Sequence, residues 1–177
     1  MLGFVAVFED VIDPNPYDPS GWLVDRCQWC LQEYRPGDTK CWNDFWSKNL
    51  DVWEHIQANA LSPYEVMRQF HDWFDALNQA YTVRFVAKPA AYDWQWLNCL
   101  YAEFGPENKL DLGFKATCLS TMLNVCEMAG ADRNKLYREI SFTGFKHTHM
   151  ADEDALQQGY QFLKLNGWIQ KHLQIKG

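Results

Sequence analysis

The sequence predicts a single domain over residues 1–177, of the α/β or α+β class, with a mixed β-sheet. Two strand-like apolar runs come first, helical periodicity then dominates, and one further strand-like run interrupts the helices. Hydrophobic residues make up 47% of the 177 residues, which is enough apolar material for one packed core. Disordered chains have the opposite composition, so we expect a compact folded protein.

Three short segments are typical of strands. The runs 2–8 and 22–32 are rich in strand-forming residues, and the Asp- and Pro-rich turn sequences 13–16 and 18–21 separate them. We expect these two strands to form a hairpin or meander. Val83 to Ala87 is a third strand-like run, which Lys88-Pro89 ends.

Helical patterns occupy most of the remaining chain. Ser62-Pro63-Tyr64-Glu65 is a capping box with proline at the first helical position, which predicts that a helix begins there. The apolar residues that follow at helical spacing are Val66, Phe70, Trp73, Phe74 and Leu77. Further helices are predicted from Asp93 to Phe104, over 116–128 with Gly130 as the stop, and over 154–163 with a broken continuation towards Leu173.

The charge balance excludes one function class. A net charge of −7 and a pI near 5.1 do not suit a protein that binds nucleic acid through overall positive charge. Nucleic-acid binding would need a small local groove, or bound cations that cancel the acidic side chains at the site.

Cysteine usage and hydropathy predict a reduced, cytoplasmic protein. The six cysteines lie in a chain with enough apolar residues to fold without disulfides, and three of them lie within apolar helical patterns. The amino-terminal stretch lacks the basic region and cleavage site of a signal peptide. No apolar run approaches the length of a membrane span, so no membrane partner is expected.

Two common types of site have little support. Cys27 and Cys30 have the spacing of half a zinc site and Cys41 could add a third ligand, but no histidine lies close enough to complete the set. Two ordinary strand cysteines are the favoured interpretation. The glycines are scattered singly, so a glycine-rich phosphate loop is not expected.

Two acidic positions remain as candidates. Asp93 follows a strand and a short turn and begins an apolar helix, where an N-cap is the simpler interpretation. Asp154 is preceded by Asp152 and Glu153, and all three could simply favour the positive end of a helix dipole. However, Ala155 and Gly159 predict that this helix packs closely on a neighbour, which would bury Asp154. A buried carboxylate costs free energy unless a positive group such as a metal ion meets it.

Taken together, the two stretches resemble motifs of the DEDDh 3′-5′ exonucleases. His149-Met150-Ala151-Asp152-Glu153-Asp154-Ala155 is similar to the family's third motif, His-x-Ala-x-x-Asp-Ala, and Tyr92-Asp93 resembles the aromatic-Asp pair of its second motif. The similarity extends to Phe45-Trp46, Val52-Trp53 and 110–117. It is closest to small stand-alone exoribonuclease-like members of bacteria and phages.

The resemblance implies an RNase H-like mixed sheet flanked by helices, and hydrolysis of single-stranded RNA or DNA from the 3′ end. Two Mg²⁺ or Mn²⁺ ions would clamp the scissile phosphate, with Asp93 and Asp154 as metal ligands. His149 would be the general base, and His147 would orient or shield the site. Tyr92 and Trp94 would contact the substrate. A homodimer is implied by the resemblance alone.

The chain departs from the family at the first motif, an Asp-x-Glu at the end of the first strand, which is absent from this sequence. Either 2–8 is that strand, with Val7 in place of the aspartate and only Glu9 left, or it is the family's second strand and the first is missing. The second alternative is favoured. It predicts an incomplete metal site and an exposed strand edge.

The incomplete motif leaves an alternative function of another class. A catalytically impaired module with the exonuclease fold would bind the ends of nucleic acids without cleaving them. Aromatic side chains at Tyr92, Trp94 or Phe145 would then stack on the bases of a single strand.

Overall fold

The computed structural model of the chain describes residues 1–33, 37, 39–113, 115–141 and 148–173. The strands in these ranges are β1 (Leu2–Val7), β2 (Leu23–Leu31), β3 (Ala60–Leu61), β4 (Phe85–Ala87) and β5 (Ala116–Cys118). The α-helices are α1 (Thr39–Asp44), α2 (Leu50–Ala58), α3 (Pro63–Ala80), α4 (Ala90–Phe104), α5 (Leu119–Met128), α6 (Arg133–Ile140) and α7 (Ala151–Leu173). Short 3₁₀ turns occupy Pro19–Gly21 and Trp46–Lys48. The fold is therefore mixed α and β.

The strands form two sheets. β1 pairs antiparallel with β2, from Leu2 opposite Trp29 to Val7 opposite Leu23, and β2 pairs parallel with the short β3. β4 and β5 form a separate parallel pair. The predicted hairpin of the first two strands is confirmed, and so is the presence of a mixed sheet.

Two helical layers cover the strands. One layer packs into the α7 core, whose buried residues are Trp22, Leu119, Leu123, Cys126, Leu136, Ile140, Tyr160, Phe162, Leu163 and Leu165. The other forms the α3–α4 core, whose buried residues are Val66, Met67, Phe70, Phe74, Leu97, Leu100, Tyr101 and Leu112. A small α2 core contains Cys30, Val52 and Ile56.

Both sheets lie in the same layer between these helices. In β1, Phe4 packs against the α3–α4 core and Val7 against the α7 core. In β4, Phe85 packs against the α3–α4 core and Val86 against the α7 core. Successive strand residues point to opposite faces, so β1 and β4 are each covered on one side by the α3–α4 core and on the other by the α7 core.

The two sheets are not joined by strand hydrogen bonds in the described ranges. Within the described ranges, β1 is hydrogen-bonded only to β2, and β4 only to β5. Glu9, just after β1, pairs with Arg84, just before β4, and the rings of Phe8 and Tyr81 are 5.9 Å apart. The carboxyl end of β1 thus adjoins the amino end of β4. We call this interruption of the hydrogen bonding between β1 and β4 the β1–β4 gap.

Helix α7 lies directly against β1. A Cβ atom on Gly3 would be 2.1 Å from the carbonyl carbon of Ala151, and one on Gly159 would be 3.0 Å from a methyl group of Val5. The helix runs in the same direction as the strand, since Gly167 lies beside Ile12. The close packing predicted from the small residues of this helix is confirmed.

The helix predictions need three corrections. Residues 116–118 are not the start of a helix but strand β5, because their backbone groups pair with β4. The last helix is continuous over Ala151–Leu173, without the predicted break. Helices α1, α2 and α6 were not predicted, although Asp132 caps α6 by accepting a hydrogen bond from Lys135 N–H.

Other predictions about the helices hold. Ser62 and Glu65 form the predicted capping box at the start of α3, and Gly130 follows α5 with a φ of 96°. All six cysteines are free thiols. No helix in the described ranges is long and apolar enough to cross a bilayer.

The close contact between β1 and α7 predicts the effect of Gly3→Ala. The new methyl group would meet the backbone of Ala151 at 2.1 Å, and a backbone cannot rotate away. We expect the free energy of unfolding to fall by about 1–3 kcal/mol in a urea titration. Gly21→Ala is the matched control, because nothing lies within 4 Å of its added Cβ. Equal stability of the two variants would contradict the close contact.

Candidate functional site

Asp93 lies in the first turn of α4 and does not cap it. The helix begins three residues earlier, at Ala90, after Pro89, which makes no side-chain capping bond. Alanines favour helix, so the turn forms before Asp93 is reached. The N-cap interpretation of Asp93 is therefore wrong. Its carboxylate accepts a hydrogen bond from the N–H of Lys88, but partial desolvation has the larger effect and raises its pKa.

Lys88 connects the element that carries Asp93 with the one that carries Asp154. Its ammonium group donates a hydrogen bond of 3.2 Å to Gln161 Oε1, and Gln161 is buried in α7. Asp154 lies seven residues before Gln161, which is two helical turns along the same face of α7. The two aspartates thus lie on elements that meet at the carboxyl end of β4.

The three acidic residues at the start of α7 have different surroundings. Asp152 pairs with Arg26, and its N–H donates to Gln28 Oε1 at 3.2 Å, which attaches the helix start to β2. Glu153 accepts a hydrogen bond from the hydroxyl of Thr148. These contacts give Asp152 and Glu153 a structural role. Asp154, in the same first turn of α7, is half-buried.

His149 is held in an unusual conformation just before α7. Its φ of 60° is in the left-handed region, which few residues other than glycine adopt. Its ring meets the ring of Phe45 edge to face, with centroids 4.9 Å apart. The neighbouring Met150 packs against the α2 core, which fixes the position of this segment. His147 and Phe145 lie outside the described residues.

The aromatic residues of α4 divide between surface and interior. Tyr92 is 61% exposed and lies 6.4 Å from the ring of Trp96, which is 40% exposed. Trp94 is half-buried and lines a cavity of about 800 Å³, and its ring is tilted by 42° to that of Phe85 with centroids 4.7 Å apart. The sequence prediction chose Tyr92 and Trp94. It did not include Trp96, although the spacing of four residues from Tyr92 places both side chains on one face of a helix.

The described residues contain no group of three or more His, Cys, Asp or Glu side chains that could hold a metal ion. For the cysteines, Cys30 is buried, Cys27 is half-buried and Cys41 is exposed on α1. The zinc interpretation therefore gains nothing from the structure. Asp93 and Asp154 alone would supply two carboxylates, fewer than two divalent ions need.

Cys118 is a residue near this region that the sequence analysis did not single out. It precedes α5, and its sulfur accepts backbone hydrogen bonds from Ala90, at the start of α4, and from Thr121 and Ser120, in the first turn of α5. These bonds stabilise the thiolate and lower the pKa of Cys118 to about 7. No sequence pattern carries this signal, because it depends on α4 and α5 beginning side by side.

A scan against protein-family models, a search of curated proteins and a search of solved structures found no match to this chain.

The pKa of Cys118 predicts selective alkylation. The lowered pKa means that the reactive thiolate predominates above about pH 7, instead of above the usual range near 8.5. We expect the rate of iodoacetamide labelling of Cys118, followed by peptide mass spectrometry from pH 5.5 to 9, to rise with a midpoint near 7. Removing one hydrogen-bond donor with Thr121→Val should move the midpoint upwards. A midpoint above 8 in the unmodified chain would contradict the arrangement.

Proposed function

We propose that this chain is a DEDDh-type 3′-5′ exonuclease whose RNase H-like sheet lacks one strand. The observation that carries the proposal is the β1–β4 gap. The resemblance implies a first strand that the sequence lacks, and in the described ranges the hydrogen bonding of the strands is interrupted between β1 and β4. Asp93 begins α4 just after β4, and the neighbouring Lys88 contacts Gln161 on the helix that carries Asp154.

Each candidate residue has a role in this proposal. Asp93 and Asp154 would contribute carboxylates to a Mg²⁺ or Mn²⁺ centre, and His149 would accept the proton of the attacking water. Tyr92 is exposed beside Asp93 and is available to a substrate. RNA and DNA are both candidate substrates, because such enzymes hold both through phosphate and sugar.

The chain by itself does not fit a two-metal centre. Two carboxylates are present where the family pattern uses four, and the described ranges hold no three-residue metal-binding group. We therefore assign hydrolysis to the chain with a strand in the β1–β4 gap. An Asp-x-Glu on that strand would add the two carboxylates that the family pattern requires.

The same observation favours a second candidate function for the chain without that strand. A domain with the exonuclease fold and an incomplete metal centre would bind 3′ ends of single strands without cleaving them. Local aromatic contacts would provide the binding, since the net charge of −7 repels nucleic acid at long range.

The proposed hydrolysis is tested with 5′-labelled single-stranded RNA and DNA, incubated with and without Mn²⁺. We expect little or no shortening by the chain alone. A chain extended before Met1 by a strand with Asp-x-Glu should produce a ladder from the 3′ end that requires metal. Asp154→Asn in the extended chain should lower the rate at least about a hundredfold, because it removes a metal ligand.

Asp51→Asn is the matched control, because Asp51 is also an acidic residue in the first turn of a helix but is exposed on α2. It should leave the rate unchanged. Shortening that needs no metal, or an Asp154→Asn variant as active as Asp51→Asn, would refute the proposed site.

A further inference from the structure

A cavity of about 800 Å³ lies between the start of α4 and the β4–β5 pair. Volumes of this size are typical of sites that bind small molecules. Neither Asp93 nor Asp154 is among the residues that line this cavity, so it is distinct from the candidate metal site.

The wall of the cavity is mostly apolar. Its apolar lining residues are Phe85, Ala90, Ala91, Trp94 and Ala116. The ring centroids of Phe85 and Trp94 are 4.7 Å apart, and the two rings are tilted by 42°. The alanines leave space beside these rings, because each contributes only one methyl group. The cavity therefore suits a flat ring that packs against Trp94 and Phe85.

Two cationic side chains also line the cavity. Arg84 and Lys115 each stand one residue before the paired residues Phe85 and Ala116, at the start of two adjacent strands. Adjacent strands are about 5 Å apart, so a single anionic group can reach both side chains. No acidic residue is among the described residues that line the cavity. In a chain with a net charge of −7, this arrangement favours an anion.

The ion pair of Arg84 with Glu9 does not prevent Arg84 from binding a second anion. Nη2 of Arg84 makes the contact with Glu9, and a guanidinium carries five N–H donors. The side chains of Arg84 and Glu9 are 69% and 44% exposed, and ion pairs this exposed contribute little to stability. The guanidinium can therefore turn towards a ligand at small cost.

The remaining polar lining residues narrow the class of anion. They are Gln95 and Thr117. The ribose of a nucleotide would need partners for its hydroxyl groups, and a mostly apolar wall provides few of them. A ring that carries a single carboxylate buries no other polar group. The lining therefore favours an aromatic carboxylate over a nucleotide.

We propose that the cavity between α4 and the β4–β5 pair binds a small aromatic carboxylate. The ring packs against Trp94 and Phe85, and the carboxylate accepts hydrogen bonds from Arg84 and Lys115. This site requires neither a metal ion nor an oligonucleotide. It is therefore independent of the proposed hydrolysis, and either can fail without the other.

The experiment is isothermal titration calorimetry with 2-naphthoate and with its uncharged analogue 2-naphthalenemethanol. The unmodified chain should bind 2-naphthoate about tenfold more tightly, because the alcohol lacks the charge-assisted hydrogen bonds. The double variant Arg84→Gln/Lys115→Gln should bind both compounds with the affinity of the alcohol. Trp94→Leu should weaken the binding of both by about fivefold and keep the preference for the carboxylate.

Arg68→Gln is the matched control for the loss of charge. Arg68 forms an ion pair with Asp72 on α3, and its side chain is 63% exposed, close to the value for Arg84. It does not line the cavity, so Arg68→Gln should leave both affinities unchanged.

Cys118 reports whether the ligand occupies this cavity. Ala90 lines the cavity and donates its N–H to the sulfur of Cys118. A bound carboxylate disfavours a nearby thiolate, so saturating 2-naphthoate should slow iodoacetamide labelling of Cys118 at pH 7 by at least about twofold. Cys41, which is exposed on α1, is the internal control and should react at an unchanged rate.

No binding of 2-naphthoate, or equal affinity for 2-naphthoate and the alcohol, would overturn the inference. So would a preference that survives in the double variant, or unchanged labelling of Cys118, since the ligand would then lie elsewhere. Tighter binding of adenosine 5′-monophosphate than of 2-naphthoate would overturn the assignment to carboxylates.

Discussion

The contact between α7 and β1 is the one on which the candidate site depends. Glycine at positions 3 and 159 removes the side chains that would otherwise hold the helix away from the strand. The start of α7 is then attached to β2 through Asp152 and Arg26. His149 lies just before this helix, with its backbone in the left-handed region, and Asp154 lies half-buried in the first turn. Packing at backbone level, rather than a polar network, therefore sets the position of the candidate residues.

Packing against helices also explains why β1 and β4 lie in one layer although no hydrogen bonds join them. β1 and β4 both bury side chains in the two cores, so helices hold them in place from above and below. Unpaired strand edges invite pairing with another chain, and proteins often protect them with charged residues. Arg84 and Glu9 pair where the carboxyl end of β1 adjoins the amino end of β4.

The elements encoded by adjacent residues could be predicted from the sequence. The elements fixed by contacts with segments far away in the chain could not. The capping box at Ser62 and the strand at 2–8 are encoded by adjacent residues, and both are present. Residues 116–118 have a helical pattern that pairing with β4 overrides. Likewise, Asp93 has the sequence context of an N-cap, but the alanines before it begin the helix earlier. His149 and Asp154 were chosen from the resemblance alone, and their role stays a prediction. The contact of Phe45 with His149 and the lowered pKa of Cys118 could not be predicted, because both arise from contacts between elements far apart in sequence.

The most direct test of the account is residue-resolved hydrogen exchange of β1. If its outer edge is open, amides that point to β2 should be protected and the alternate amides, which point into the β1–β4 gap, should exchange orders of magnitude faster. The extended chain with a strand in the gap should then protect both sets. Uniform protection along β1 in the unextended chain would show that the edge is already covered. It would contradict the split sheet and, with it, the place we assign to the missing strand.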